Sequence, residues 1–341
     1  TNKFFNYKIA LYASLLFILA PSSYTVSELF VGHGHLHIAL FILIALFFFF
    51  NFYFLEKNKS RNLILFGLFS GFGIFFSNIF LFILPPCFLL WFLKDKIFFL
   101  RKNFFIFVIT LLIGLIPWFY VNAQTDFQGL NLFKFGFDND YTGIVKIKEV
   151  SQRAINLLLY DIPNSFNFKD IILQRGVLNY TYYLTFLSLL FYLFYKNRIH
   201  ILNLIKFKSK FIPSINLKHM FFLIVITLFF FIFSISSFII DGAVYARQYR
   251  YLTPIFPFFF IIMAVAIFEM SKFRRRLSVL SLIILVILGA ITNLGLTSAS
   301  SQWGFEKETN PKTLCYELLG FNFGSKNKFN PDIAFEKCNN L

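Results

Sequence analysis

The chain has 341 residues and a net charge of +16; 58% of its residues are hydrophobic, 14% are charged and 55 are phenylalanine. So little polar material cannot cover a soluble globule of this size, which excludes a water-soluble domain and predicts an integral membrane protein. We interpret the abundant Phe as general apolar filler suited to lipid rather than as an aromatic binding site.

Nine apolar stretches follow one another along the chain, each judged against the roughly 20 apolar residues that cross a ~30 Å hydrocarbon core. The predicted fold is all-α, a polytopic transmembrane helical bundle of about nine membrane segments. Ser77 and Asn78 interrupt the chain between the third and fourth stretches, so these two can form either a short helical hairpin or one continuous crossing. The nine stretches are 9–20, 37–55, 63–76, 78–93, 104–122, 178–195, 220–240, 254–270 and 277–296.

The distribution of Lys and Arg decides between the two topologies, because short cytoplasmic loops are enriched in basic residues. With the hairpin and a cytoplasmic N-terminus, the inner segments carry 19 basic residues against Glu56 and Asp95, and the outer segments carry 13 basic and 13 acidic residues. One continuous crossing would place the all-basic stretch 196–218 outside, and we reject it. The remaining acidic residue, Glu269, lies near the end of a span and is counted on neither side. The inner segments are 3–8, 57–61, 94–102, 196–218 and 272–276.

The high positive charge is therefore a topology signal, and it does not predict a nucleic-acid partner. The expected location is a bacterial inner or plasma membrane. Lys3 and Lys8 before "IALYASLLFILA" imitate a signal peptide, but the chain begins with Thr1, so we expect this segment to be a span of a longer protein.

Two outer regions are large enough to carry structure of their own. The loop 123–177 balances six basic with six acidic residues, and its stretch "IVKIKEVSQRAINLLLYDI" predicts an amphipathic helix on the outer face. That helix either caps a cavity or only covers the surface. Residues 1–296 form the predicted transmembrane domain and 297–341 a small external tail. Cys315 and Cys338 in this tail are expected to pair in an oxidising compartment.

The first outer loop, "SELFVGHGHLHIAL", carries Glu28, His33, His35 and His37. If this region is helical, His33 and His37 lie four residues apart on one face and could bind a divalent metal, although further ligands would be needed. The alternative is a set of polar residues at the mouth of a helix, so no metal site is assigned. Histidine can also donate to a phosphate or act as an acid or base.

The stretch "VYARQYRYLTPIFPFFF" places Arg247 and Arg250 just ahead of an apolar run. Arginine is costly near hydrocarbon, and two arginines three residues apart on a helical turn could hold one phosphate or pyrophosphate. Pro254 suits the start of a helix. The alternative is that both arginines only extend to the membrane interface.

Within this stretch, "RQYRYLTPIFPFFFIIMAVAI" resembles the late-span signature of the GT-C superfamily of membrane glycosyltransferases, which includes protein mannosyltransferases and aminoarabinose transferases. Arg250, Tyr251, Pro254 and Pro257 carry the resemblance, as an arginine–tyrosine pair ahead of prolines and an apolar helix.

Two earlier stretches also resemble that superfamily. "LFILAPSSYTVSELFVGHGHLHIALFILIALFFFF" is similar to its middle spans, with a proline at a helix end and a polar turn before a long apolar helix. "LILFGLFSGFGIFFSNIFLFILPP" is similar to its glycine-spaced hairpin, in which small residues allow close helix packing. The matching residues are Pro21, Glu28, His33, His35, Gly67, Gly71, Gly73 and Asn78.

The resemblance implies a hexosyl- or pentosyltransferase that moves a sugar from a polyprenyl-phosphate donor to a glycan, lipid or protein acceptor at the outer face. Such a transfer needs cations for the departing lipid phosphate and a base for the acceptor hydroxyl. The first role falls to Arg247 and Arg250. The other expected substrate-binding residues are Tyr251, His33, His35, His37 and Asn78.

The catalytic base is where the chain departs from the superfamily, whose members carry an acidic residue in the loop after their first span. Glu28 is the nearest carboxylate in the outer compartment, followed by Asp126, Asp138 and Asp140. If the first span here corresponds to the third of the superfamily, the main catalytic loop is expected upstream of this chain.

Three other classes of membrane protein remain open. A polysaccharide polymerase or ligase would share the lipid-linked chemistry, but arginines would be expected to dominate its long outer loop. A transporter would be expected to show ionisable residues within its spans and two matching halves. The third alternative is a purely structural membrane protein.

Overall fold

The structure is a computed structural model that describes residues 4–21, 35–124, 147–165, 177–206, 213–235 and 253–308. Within these ranges the chain is all-helical, without β-strands, as the apolar pattern predicts. The α-helices are α1 (Tyr7–Ile18), α2 (His35–Tyr53), α3 (Lys59–Phe76), α4 (Leu84–Lys94), α5 (Lys102–Gly114), α6 (Ile116–Gln124), α7 (Ile147–Asn156), α8 (Ile162–Ser165), α9 (Val177–Ile205), α10 (Ser214–Ile235), α11 (Phe256–Ser271) and α12 (Arg275–Glu308).

Helix α11 lies at the centre of the described bundle and packs against α1, α9, α10 and α12. Three consecutive phenylalanines show how it is surrounded, because successive side chains point about 100° apart around a helix with 3.6 residues per turn. Phe258 contacts Phe222 of α10, Phe259 contacts Phe186 of α9, and Phe260 contacts Phe17 of α1. Phenylalanine therefore builds much of the core, in keeping with its interpretation as general apolar filler.

The third and fourth apolar stretches form a hairpin. Helix α3 ends at Phe76, because the next residue, Ser77, has an extended backbone. The Oγ of Ser77 accepts a hydrogen bond from the Ile79 amide at 3.3 Å. A 3₁₀-helix, Asn78–Ile83, follows and leads into α4, which has a proline in its first turn, where a missing N–H costs little. Lys94 at the end of α4 pairs with Glu56 just before α3, so the chain has returned to the end from which it started.

The glycines of α3 pack against α5 rather than within the hairpin alone. A Cβ at Gly67 would lie 2.8 Å from the Phe107 carbonyl oxygen, and one at Gly71 would lie 2.7 Å from the Gly114 Cα. Small residues at i and i+4 on both helices allow this backbone approach. The sequence predicts close packing at Gly67 and Gly71 correctly, but it does not identify α5 as the partner.

Two helices run beyond the predicted membrane segments. Helix α9 continues through Ile205, ten residues past the predicted span end at 195, and α12 continues through Glu308. The predicted boundary between the transmembrane domain and the tail, at 296, therefore falls inside a helix. In the long outer loop, the predicted amphipathic helix is present as α7, a π-helical turn (Leu157–Asp161) and α8.

By length and composition, one helix of the described ranges can cross a membrane, through the window Ile215–Ile232 of α10. Helices α5 and α6 make a second candidate if they are counted as one span bent by 44°. Helices α1 and α11 are apolar but have only 12 and 16 residues, fewer than the roughly 20 that span a hydrocarbon core. A polytopic bundle of nine spans stays a prediction.

Candidate functional site

Contacts between loops define one end of the bundle, which we call the basic end. The Nζ of Lys94 at the end of α4 donates to the Tyr53 carbonyl oxygen at 3.2 Å and lies 2.5 Å from Glu56 Oε1. Lys218 in the first turns of α10 donates to the Phe4 carbonyl oxygen at 2.7 Å. Its ammonium also lies 5.3 Å from the centre of the Phe54 ring, which joins α10 to the end of α2.

The remaining predicted inner segments reach the same end through Glu269. This carboxylate near the end of α11 pairs with Lys196 of α9 and with Lys272 just after α11, the latter at 2.8 Å. Glu269 also interacts electrostatically with His219, the neighbour of Lys218 on α10. The segment 57–61 joins them through Lys59, which pairs with Glu56 at 3.0 Å, so all five segments that the sequence assigns to the inner side are connected to the basic end.

The opposite end, called the outer end here, is where α2, the hairpin turn and α11 meet. Helices α2 and α11 both finish at the basic end, so their first residues, His35 and Phe256, lie at the outer end. The 3₁₀-helix of the hairpin and a second 3₁₀-helix, Thr253–Ile255, both pack against α2. The ring of Phe82 joins the hairpin to α10 and α11 through Phe229 and Phe258, at 5.0 and 6.3 Å between ring centroids.

Three segments that border the predicted site therefore share the outer end: the start of α2, the hairpin turn and the start of α11. His35 and His37 belong to the first turn of α2, and Asn78 is the first residue of the hairpin 3₁₀-helix. The other predicted residues lie outside the described ranges, and their interactions stay predictions; they are Glu28, His33, Asp126, Asp138, Asp140, Arg247, Arg250, Tyr251, Cys315 and Cys338.

The start of α11 is built as its prolines predict. Pro254 is buried in the 3₁₀-helix Thr253–Ile255, and Pro257 occupies the second position of α11, where the absent N–H would have no partner within the helix. Helical structure therefore begins at Thr253, only three residues after Arg250 in the sequence.

Metal binding has no support from the described part of the chain, which contains no group of three or more His, Cys, Asp or Glu side chains able to hold an ion. The proposed pair of His33 and His37 includes a residue outside the described ranges. A divalent metal at that loop stays a possibility raised by the sequence alone.

A polar cluster that the sequence analysis did not recognise lies at the basic end. The Glu269 side chain is only 7% exposed and accepts hydrogen bonds from the ammonium groups of Lys196 and Lys272. Asn197, next to Lys196, is fully buried, and its Oδ1 accepts from Asn216 of α10 at 3.0 Å. The cluster thus joins α9, α10 and α11 through polar contacts in a region that is otherwise apolar.

His219 completes this cluster from α10. It is 4% exposed, its ring stacks on Phe5 with an interplanar angle of 7°, and its buried Nε2 has no hydrogen-bond partner among the described residues. The sequence signal for this cluster was Glu269, a single carboxylate in an apolar helix with Lys272 three residues later. It was interpreted only as a charge near a span end, because Lys196 is 73 residues away in the chain.

Comparisons of this chain with protein-family models, with curated proteins and with solved structures find no match.

Proposed function

We propose that this protein is a membrane glycosyltransferase that moves a sugar from a polyprenyl-phosphate donor to an acceptor at the outer end of the bundle. The observation that carries the proposal is the convergence at that end of the start of α2, the hairpin turn and the start of α11. These border the three stretches on which the resemblance to GT-C glycosyltransferases rests. A group transfer needs such convergence, because donor, acceptor and catalytic groups must meet within a few ångströms.

A membrane environment is supported by stripes of exposed apolar side chains along the described parts of two helices. Residues at helical spacing of three, four or seven form such stripes on α9 and α12. A soluble protein rarely exposes continuous apolar surface of this extent, whereas hydrocarbon accommodates it. The stripes are Tyr180, Leu184, Phe191, Tyr195 and Ile199 on α9, and Leu280, Ile283, Ile287 and Ile291 on α12.

The clustering of basic segments at one end supports a single orientation in the membrane. With these segments in the cytoplasm, the outer end and loop 123–177 face the exterior of a bacterial plasma membrane. Labelling with a membrane-impermeant thiol reagent tests this orientation. We expect Ile155→Cys on α7 to be labelled from outside and Lys96→Cys only after permeabilisation, since both side chains are exposed. Labelling of both positions from the same side would contradict the topology.

In the proposed reaction, the acceptor hydroxyl attacks the anomeric carbon of the sugar, and the bond from that carbon to the phosphate oxygen breaks. Arg247 and Arg250 stabilise the departing polyprenyl phosphate, since guanidinium groups bind phosphate through two parallel hydrogen bonds. Glu28 takes the proton of the acceptor hydroxyl. Tyr251, the histidines of the first outer loop and Asn78 are proposed to contact the donor and the acceptor.

The test of this proposal is lipid-linked sugar turnover in membranes at matched expression. Arg250→Lys keeps the charge but loses the bidentate geometry, and we expect turnover to fall on the order of a hundredfold, as for other lost transition-state donors. Arg198→Lys is the control, because Arg198 is exposed at the basic end and stacks over the Tyr195 ring at 4.2 Å. Equal turnover in the two variants would contradict the assignment of Arg250.

Transport is a second candidate function, favoured by the buried ionisable groups Glu269 and His219 beside the partly exposed Lys196, because ionisable groups inside a membrane bundle often serve a transported ion or solute. Solute counterflow in proteoliposomes distinguishes the two functions. Counterflow that is abolished by Glu269→Gln, together with unchanged sugar turnover in Arg250→Lys, would favour transport.

A further inference from the structure

Helix α11 has an apolar surface on every side. Of its 16 residues, 12 are buried, and Glu269 is the only charged one. A helix that is apolar all round is suited to the middle of a bundle, but it has no polar face to fix its rotation or its height. Its phenylalanine and aliphatic contacts are non-directional, so they specify the register of the helix less strictly than a polar contact that needs one particular partner.

Glu269 introduces a contact that only one register satisfies. Its carboxylate is held by Lys272, one turn away, and by Lys196 on the neighbouring helix α9. The position of Lys196 is fixed independently of α11, because the adjacent Asn197 accepts a hydrogen bond from Asn216 of α10 at 3.0 Å. A shift of α11 by one turn, about 5.4 Å, would leave the nearly buried carboxylate without Lys196.

We infer that Glu269 is a positioning residue that sets the register of α11 through Lys196. A single buried polar group that specifies register among apolar helices is a well-attested role for such groups. Because α11 is one uninterrupted helix from Phe256 to Ser271, its register at Glu269 also fixes the height and rotation of Phe256 at the outer end, where the 3₁₀-helix Thr253–Ile255 directly precedes it. The register inference is independent of the enzyme activity, whereas its consequence for the phosphate-binding arginines rests on the proposed function.

The experiment measures register by cross-linking α11 to α1 with a short bifunctional thiol reagent, in a background without native cysteines. Phe17→Cys with Phe260→Cys reports the observed register, because these two rings are in contact at 6.1 Å. Phe17→Cys with Ala264→Cys reports a shift of one turn. The background protein is expected to favour the first pair strongly.

The decisive variant is Lys196→Met with Glu269→Gln, which removes both charges of the pair. Replacing both partners of a buried ion pair is often neutral for stability, so the protein is expected to remain folded while the preference for the first cross-link is lost. Glu56→Gln with Lys94→Met is the matched control and is expected to retain the preference. Lys196→Arg keeps the charge and is expected to retain it as well.

Two outcomes would overturn the inference. The first is a double variant of Lys196 and Glu269 that keeps the background preference. The second is a double variant that no longer elutes as a monodisperse protein in size-exclusion chromatography, which would show that the pair is needed for stability and not for the register of α11. Sugar turnover is measured separately. If the double variant loses the cross-link preference but keeps its turnover, the register inference stands and the proposed function is contradicted.

Discussion

Glu56 and Glu269 have the same local arrangement in two different regions of the molecule. Each carboxylate pairs with a lysine three residues later, Lys59 or Lys272, and with a second lysine far away in the chain. Glu56 lies in a loop and its side chain is 49% exposed, whereas Glu269 lies in the central helix at 7%. The comparison teaches that the energetic weight of an ion pair depends on the burial of its surroundings more than on its partners.

The largest expected effect is on stability when one partner of the buried pair is removed. Glu269→Gln leaves Lys196 without its carboxylate in a largely apolar region, and we expect a loss of about 2 to 3 kcal/mol, below the usual figure for a fully buried pair because Lys196 is partly exposed. Thermal unfolding in detergent, followed by size-exclusion elution, measures it.

The control for this loss is Glu56→Gln, which removes the corresponding carboxylate from the surface. We expect the melting temperature of this variant to fall only slightly, by far less than in Glu269→Gln, because exposed ion pairs contribute little. Equal destabilisation by the two substitutions would refute the burial argument.

A smaller loss of stability is expected from a substitution at the contact between α3 and α5. It compares a buried with an exposed position again, this time between apolar residues. Gly71→Ala brings a methyl group against the Gly114 backbone, where neither helix can give way without moving, and we expect a loss of roughly 1 to 3 kcal/mol. Ile109→Ala on α5 removes an exposed side chain and is the comparison variant. A Gly71→Ala protein as stable as Ile109→Ala would mean that the helices are not in close contact.

High salt is expected to change the contribution of Glu56 to stability but not that of Glu269. At 1 M ionic strength the screening length falls to about 3 Å, which weakens exposed pairs but affects buried ones much less. We therefore expect the melting-temperature difference between wild type and Glu56→Gln to vanish in high salt, and the difference for Glu269→Gln to persist. The same salt response in both variants would remove the distinction.

The smallest expected effect is the pH dependence of the exposed cluster. Hydrogen bonds from Lys94 and then from Lys59 lower the pKa of Glu56 from its usual 4.5 to about 2. Because the pKa is lowered in the folded state, the stabilisation is fully present above pH 4.5 and is lost as the pH falls towards 2. Melting temperatures of wild type and Glu56→Gln should converge over that interval, and a constant difference would contradict the assigned contacts.

The sequence predicts the helices well because apolar runs and prolines are local signals. Ser77 and Asn78 were sufficient to suggest the hairpin as one of two alternatives, and the basic loops decided in its favour. Helix ends were predicted less well, since α9 and α12 continue into polar residues that a search for apolar segments treats as loops. The pairing of Glu269 with Lys196 was missed, because nothing local indicates a partner 73 residues earlier.

The candidate site could be predicted only in part for the same reason. The sequence assigns Asn78, His35 and the stretch before Pro254 to one external face, and the described helices bring the segments that border them to one end. Contacts among the predicted catalytic side chains depend on the geometry of outer loops, which helical periodicity does not encode. The phosphate-binding role of Arg247 and Arg250 stays a prediction.

The glycine contact between α3 and α5 has a mechanical consequence. Two helices whose backbones touch at Gly71 and Gly114 behave as one rigid unit, because side-chain rotation cannot absorb a displacement between them. The hairpin turn follows α3 directly, so we expect it to be the least mobile part of the outer end. Relative movement at the outer end is therefore expected where the hairpin contacts α10 and α11 through the Phe82, Phe229 and Phe258 rings, because ring contacts can rearrange and the glycine contact cannot.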